Sequence, residues 1–110
     1  MAFERRGKLR KRYLAVKVIG ERDLPPDRVL KAIKEEIKRL YGLHGLAFAN
    51  LKLISREGNF LIFSCSHDAI NVARSAMCFV SKVESTHVIF KNIATSGTIA
   101  SLRRKLAQLQ

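Results

Sequence analysis

The sequence contains no tryptophan, two cysteines, two prolines and nine acidic residues among 110 positions. Each shortage narrows the chemistry. No segment sets bulky tryptophan or phenylalanine anchors against a basic face, so the pattern of a helix lying in a membrane surface is missing. No apolar run approaches the ~18 residues that a membrane-spanning helix needs. Two isolated cysteines, Cys65 and Cys78, do not make a disulfide framework. Both stand in apolar stretches and are expected as small buried hydrophobes, in a reducing, cytoplasmic compartment.

The scarce acids are scattered through predicted helices and one turn, with no converging pair for acid–base work. His44, His67 and His87 show no metal-ligand spacing with one another or with the cysteines. Ser64 and Ser66 lack the strand-to-helix elbow of a nucleophilic serine, and no glycine-rich phosphate loop is present. The expectation is therefore a chain with no catalytic residue, no resident metal and no cofactor of its own.

What the chain does have is positive charge. Lysine and arginine total 21, for a net charge of +12. The summed field of such a domain attracts polyanions, and nucleic acid is the commonest. The basic start leads into a strand-like segment with no small-residue cleavage site, so no signal peptide is expected.

The length fits one domain with a single continuous core. Residues 1–11 form a basic arm, and 12–110 the domain. YLAVKVIG, with Val16, Val18 and Ile19, predicts a first strand over about 12–20. Pro25 and Pro26 then stand in the first turn of a helix, with Asp23 or Asp27 at its positive end. Leu30, Ile33, Ile37, Leu40 and Tyr41 recur at helical spacing over 27–41, and Gly42 ends the run. LHGLAFANLKLISREGNFLIFSCS reads as a hairpin: a strand carrying Leu46, Phe48, Leu51, Leu53 and Ile54, a turn at Glu57-Gly58-Asn59, and a strand at 60–65. Ser66 and Asp68 are N-cap candidates for a helix reaching about residue 82. Its Ala69, Ala73 and Ala76 permit close packing on a sheet. Residues 85–95 predict the fourth strand, and 98–109 a last helix.

The order β-α-β-β-α-β with a C-terminal helix predicts an α+β, ferredoxin-like split βαβ fold built on a four-stranded antiparallel sheet. FLIF and VIF are continuous apolar runs, which suggests strands buried on both faces. The last helix, with Ile99, Leu102, Leu106 and Leu109 along one side, is the expected cover for the second face. That cover blocks base stacking on the sheet, so Phe48, Phe60, Phe63, Phe79 and Phe90 are read as core.

Dense cations are the remaining candidates for binding. Arg5, Arg6, Lys8, Arg10, Lys11 and Arg12 crowd the arm, and Arg103, Arg104 and Lys105 stand together in the last helix. Ser96, Gly97 and Thr98 precede that helix. Ser96 or Thr98 caps its first turn, Gly97 allows a tight entry, and the N–H groups there suit a phosphate. At about 100° per residue, Arg104 lies opposite the leucines while Arg103 and Lys105 flank it. If about five cations neutralise phosphates on a duplex, affinity falls with salt at a log–log slope of roughly −4 to −5.

The stretches KRYLAVKV, FLIFSC, DAINVARSAM and, above all, VIFKNIATSGTIASLRRKL resemble the ribonuclease P protein component 2 family. The resemblance spans about residues 11–108. It implies a ferredoxin-like domain within the ribonucleoprotein that removes the 5′ leader from precursor tRNA. It further implies that the chemistry belongs to ribonuclease P RNA and its magnesium ions. The partners implied are that RNA and the larger, TIM-barrel-like ribonuclease P protein component 3, with two copies of each protein in one assembly. A ribosomal or translation-associated RNA-binding protein of the same fold is the rival reading. An acylphosphatase-like enzyme would need a glycine-rich anion loop after the first strand, where VIGERDLPPD stands instead.

Overall fold

The computed structural model describes residues 10–109. The chain runs β1 (Lys11–Gly20), α1 (Pro26–Ala49), β2 (Lys52–Glu57), β3 (Phe60–Ser66), a 3-10 turn (His67–Ala69), α2 (Ile70–Phe79), β4 (Lys82–Val83), β5 (Thr86–Ser96) and α3 (Ile99–Leu109). The five strands form one sheet in the order β2-β3-β1-β5-β4, and every neighbouring pair is antiparallel. The α+β class agrees with the sequence.

The sheet has five strands rather than four. The predicted second helix stops at Phe79, and Val80 turns to extended backbone at φ −75° and ψ 117°. Lys82 and Val83 then pair with His87 and Thr86 across a two-residue turn. Glu84 and Ser85 both hold positive φ, at 49° and 68°, as a tight hairpin of this handedness requires. Such a turn is usually signalled by asparagine and glycine, so Glu-Ser carries no local cue. Tertiary contacts stabilise it instead. Val83 packs with Val80 and Val88, and Arg28 binds the Glu84 carboxylate.

A second correction falls on the first half of the hairpin. The helix expected to end at Gly42 does break there, at φ 75° and ψ −173°, but helical backbone resumes through Ala49. Leu46 and Ala49 turn inward from that added segment, so the apolar spacing credited to a strand is helical. Gly45 makes the fold-back tight, since a Cβ there would stand 2.2 Å from the Cβ of Tyr41. Asn50 ends the helix at φ 47°, and its N–H donates to the Leu46 carbonyl at 3.2 Å. At the hairpin itself Gly58 takes φ 62°, and Glu57 pairs directly with Phe60.

Alternation along β1 sorts its side chains to two faces. Leu14 and Val16 meet Leu61, Phe63 and Cys65 under Val29, Ile33 and Ile37 of α1 and Ala73, Ala76 and Met77 of α2. Ala15 and Ile62 face the other way, under Leu102 and Leu106 of α3. Tyr13, Phe60, Ile93 and Ala94 surround that second cluster. A bulge admits Ile93 to it: Ala15 pairs with Ala94 and Val16 with Asn92, leaving Ile93 as the extra residue. The expected cover therefore forms, through Leu102 and Leu106. Leu109 does not join it and is 62% exposed.

Three further expectations of burial are corrected. Phe48 and Phe79 are exposed, at the last turns of their helices where the chain is leaving the core. Cys78 is exposed because it lies one residue past buried Met77, about 100° around the helix. Cys65 is buried as expected, and the lack of solvent pushes its thiol up to about 11. Among the described residues, no helix is long and apolar enough to cross a membrane.

Candidate nucleic-acid interface

Of the predicted cations, Arg5, Arg6 and Lys8 lie outside the described residues. Arg10 precedes β1, and Lys11 and Arg12 are the first two residues of that strand. Strand pairing fixes where they stand. Lys11 is in register with Ser66, and the His67 N–H donates to the Arg10 carbonyl at 3.0 Å. On the other side, Tyr13 is in register with Ser96. The basic start of β1 thus lies between the Ser66-His67 corner and the Ser96-Gly97-Thr98 turn, which are far apart in sequence.

Local bonds hold this end in place. Arg12 Nε donates to His67 Nδ1 at 2.9 Å. An imidazole accepting at Nδ1 is neutral and carries its proton on Nε2. His67 is thereby a positioning group for Arg12, a role that its place beside a helix start did not announce. Neither Ser66 nor Asp68 supplies a side-chain cap to the following turn.

Thr98 caps α3. Its Oγ1 accepts from the Ser101 N–H at 3.1 Å, while buried Ser96 Oγ accepts a longer bond, 3.4 Å, from the Thr98 N–H. Gly97 is not needed for the turn. Its φ lies outside the left-handed region, and an added Cβ would meet nothing within 4 Å. The expected tight entry is therefore corrected: the backbone at Gly97 is open to solvent, beside the capped start of α3.

The Arg103-Arg104-Lys105 trio does not act as one cluster. Arg103 makes a fork to Glu57 at the end of β2, with contacts of 3.2, 3.1 and 2.9 Å to the carboxylate oxygens. This fork lowers the Glu57 pKa from its ordinary value and raises that of Arg103. Lys105 Nζ donates to the Thr95 carbonyl at 2.7 Å, on the β5 side of the helix. Arg104 points between them, away from Leu102 and Leu106, and is exposed without an ion pair among the described residues. Helical geometry predicted this arrangement, but not that Glu57 would occupy one of the three.

Other cations on the outer face of α1 are also divided. Arg28 pairs with Glu84 and Arg39 with Glu36, while Lys31, Lys34 and Lys38, near Glu35 and Asp27, make no ion pair among the described residues and form a solvated face. A small pocket of about 130 Å³ at the start of α1 is lined by Lys17, Arg22, Arg56 and Asn59, but Asp23 shares it. Arg22 is already committed to the buried Thr86 hydroxyl at 2.9 Å. Among the described residues, no three His, Cys, Asp or Glu side chains gather as metal ligands.

The family described as Rpp14/Pop5 matches residues 12–107, nearly all of the described fold. Ribonuclease P protein component 2 of Methanosphaerula palustris is 31% identical over 102 residues, covering 92% of this chain and 64% of that protein. The chain thus spans just under two thirds of that relative. The Archaeoglobus fulgidus protein of the same name is 28% identical over 100 residues, covering 91% of each chain. That of Thermococcus kodakarensis is 31% identical over 96 residues, covering 86% of this chain and 80% of its own. In structure, the chain resembles one in the cryo-EM structure of yeast ribonuclease MRP, with a TM-score of 0.67, 8% identity and 91% coverage of both. At that identity the likeness speaks to the fold alone.

Proposed function

This chain belongs to the Rpp14/Pop5 family, and from that membership we propose that it is a protein subunit of ribonuclease P, the ribonucleoprotein that removes 5′ leaders from precursor tRNA. The carrying observation is the match over residues 12–107, which takes in every strand and nearly all of α3. Four long strands in the order β2-β3-β1-β5, with α1 and α2 on one face, favour reading the fold as a split βαβ. On that reading β4 and α3 are additions.

The subunit's part is electrostatic. The geometry supports one RNA-facing end, where Arg10, Lys11 and Arg12 adjoin the turn of Ser96, Gly97 and Thr98, open at Gly97. Arg5, Arg6 and Lys8 extend the same basic segment, and Arg104 adds an exposed cation on α3. Arg103 and Lys105 reach phosphate only by leaving Glu57 and Thr95, so their share is smaller than that of Arg104. Fixed cations where RNA strands crowd together reduce phosphate repulsion, so the RNA folds and fills its magnesium sites at lower magnesium concentration. The hydrolytic chemistry lies with the RNA and those ions. The larger component 3 and a second copy of this chain are the protein partners on this reading, and the assembly works in the cytoplasm.

Pull-down through a tag on the full chain tests the proposal. Recovery of ribonuclease P RNA with a TIM-barrel protein is the expected result; intact ribosomal subunits, or neither RNA nor partner, would overturn it. Within the complex, Arg10→Ala with Arg12→Ala is expected to make the log–log salt slope shallower by roughly 1.5 units.

A further inference from the structure

The second face of the sheet is only half covered. α3 lies over the rows that hold Tyr13, Ala15, Ile62 and Ala94. The next row across β3, β1 and β5 is Phe60, Lys17 and Lys91, in direct register. Beyond it Ile19 is paired with Ile89, and these are 45% and 66% exposed. An open depression of about 440 Å³ continues from the two isoleucines past Glu21 to Ser81 and His87.

The isoleucine pair suits water poorly, and the lysine pair suits its own sheet poorly. Two adjacent β-branched side chains on an open face leave apolar area that folding has not buried. Lys17 and Lys91 are directly opposite one another, and like charges so placed destabilise a sheet. No acid among the described residues bonds to either lysine. Glu57 is held by Arg103, Glu21 stands at the far end of the depression, and Asp23 shares a pocket with Lys17 without an ion pair to it. Elsewhere on the same face the chain covers its apolar residues with α3.

Charge and shape decide the occupant. Sheets that bind single-stranded RNA offer aromatic rings for stacking. Here the exposed cross-strand pair is aliphatic, Phe60 packs into the cluster under α3, and His87 is the single ring lining the depression among the described residues, short of a stacking platform. We propose that the open half of this face docks a segment of a partner polypeptide, with aliphatic side chains set against Ile19 and Ile89 and carboxylates set against Lys17 and Lys91. The proposal rests on reading the chain as one subunit of a larger assembly. It assigns the two ends of the sheet to different partners, with RNA at the Arg10–Arg12 end and protein at the Ile19–Ile89 end.

The test places a photoreactive benzophenone side chain at position 89 of the full chain and irradiates the complex recovered through a tag on it. The expected product is a cross-link to a different polypeptide, at a segment where aliphatic residues lie within a turn or two of Asp or Glu. Lys17→Glu together with Lys91→Glu, in a chain whose circular dichroism is unchanged, should lower its yield by about tenfold or more. A cross-link to RNA, to a second copy of this chain or to a segment without acids would overturn the proposal, as would no cross-link at all. Ribonuclease P RNA in the same pull-down reports separately on the functional reading, so either conclusion can fail while the other stands.

Discussion

One face of one sheet carries two unlike halves. Under α3, Ala15 and Ile62 are fully buried, and the strand residues there are small or apolar. On the next two rows, still on β1 and β5, the same face carries an opposed lysine pair and then an exposed isoleucine pair. Pairing of β1 with β5 runs through both, with the bulge at Ile93 between them. The difference is therefore in side chains and cover, and it separates a half built for stability from a half left open to a partner.

Breaking the covered half should cost most. Leu102 is fully buried, and Leu102→Ala is expected to lose about 2–5 kcal/mol in urea unfolding. A loss below about 1 kcal/mol would mean that α3 is a loose flap rather than part of the core. Thr98→Ala, which removes the cap of the same helix, is expected to cost about 1 kcal/mol. Gly97→Ala should leave stability unchanged, since its Cβ enters open space. If Gly97→Ala nonetheless weakens RNA binding, the close backbone approach of a phosphate at that turn is the reason.

The open half should respond in the opposite sense. Lys91→Thr removes one of two opposed charges and suits a strand, so the isolated chain should gain a few tenths of a kcal/mol. Ile89→Ser should change its stability by no more than about 0.5 kcal/mol. A large loss from either would show that this half belongs to the fold and not to a partner.

The smallest effect is expected at the edge of the covered half, where Arg103 forks to Glu57. The lowered Glu57 pKa means the pair contributes fully above the ordinary carboxylate range and is lost as pH falls through the folded value. Glu57→Gln should remove that component from the pH dependence of urea midpoints, with little change elsewhere because the pair lies at the surface. The same substitution frees Arg103 and should steepen the salt dependence of RNA affinity.

Much of the covered half could be read before folding. The run FLIF signalled burial on both faces, and the spacing of Leu102 and Leu106 signalled the helix that supplies the second cover. Arg104 opposite those leucines follows from the same helical angle. The open half could not be read this way. Lys17 sits in one strand-forming segment and Lys91 in another, and nothing near either residue reveals that pairing sets them face to face. The Arg12–His67 bond and the Arg103–Glu57 fork were hidden for the same reason. Phe48 and Phe79 misled because an apolar side chain at a helix end does not state which way that end will turn.

The sequence by itself determined the class of each long element apart from residues 43–49, the buried Ile33–Ile37 and Leu102–Leu106 spacings, the need for cover on both sheet faces and the excess of positive charge. Those properties depend on residues within one or two turns of each other, or on composition. Only the tertiary structure decided that Glu84 and Ser85 would close a fifth strand, that Arg10–Arg12 would meet Ser96–Thr98, and that α3 would stop short of Ile19 and Ile89. These outcomes depend on register between strands distant in the chain, where local preference is weak and packing chooses.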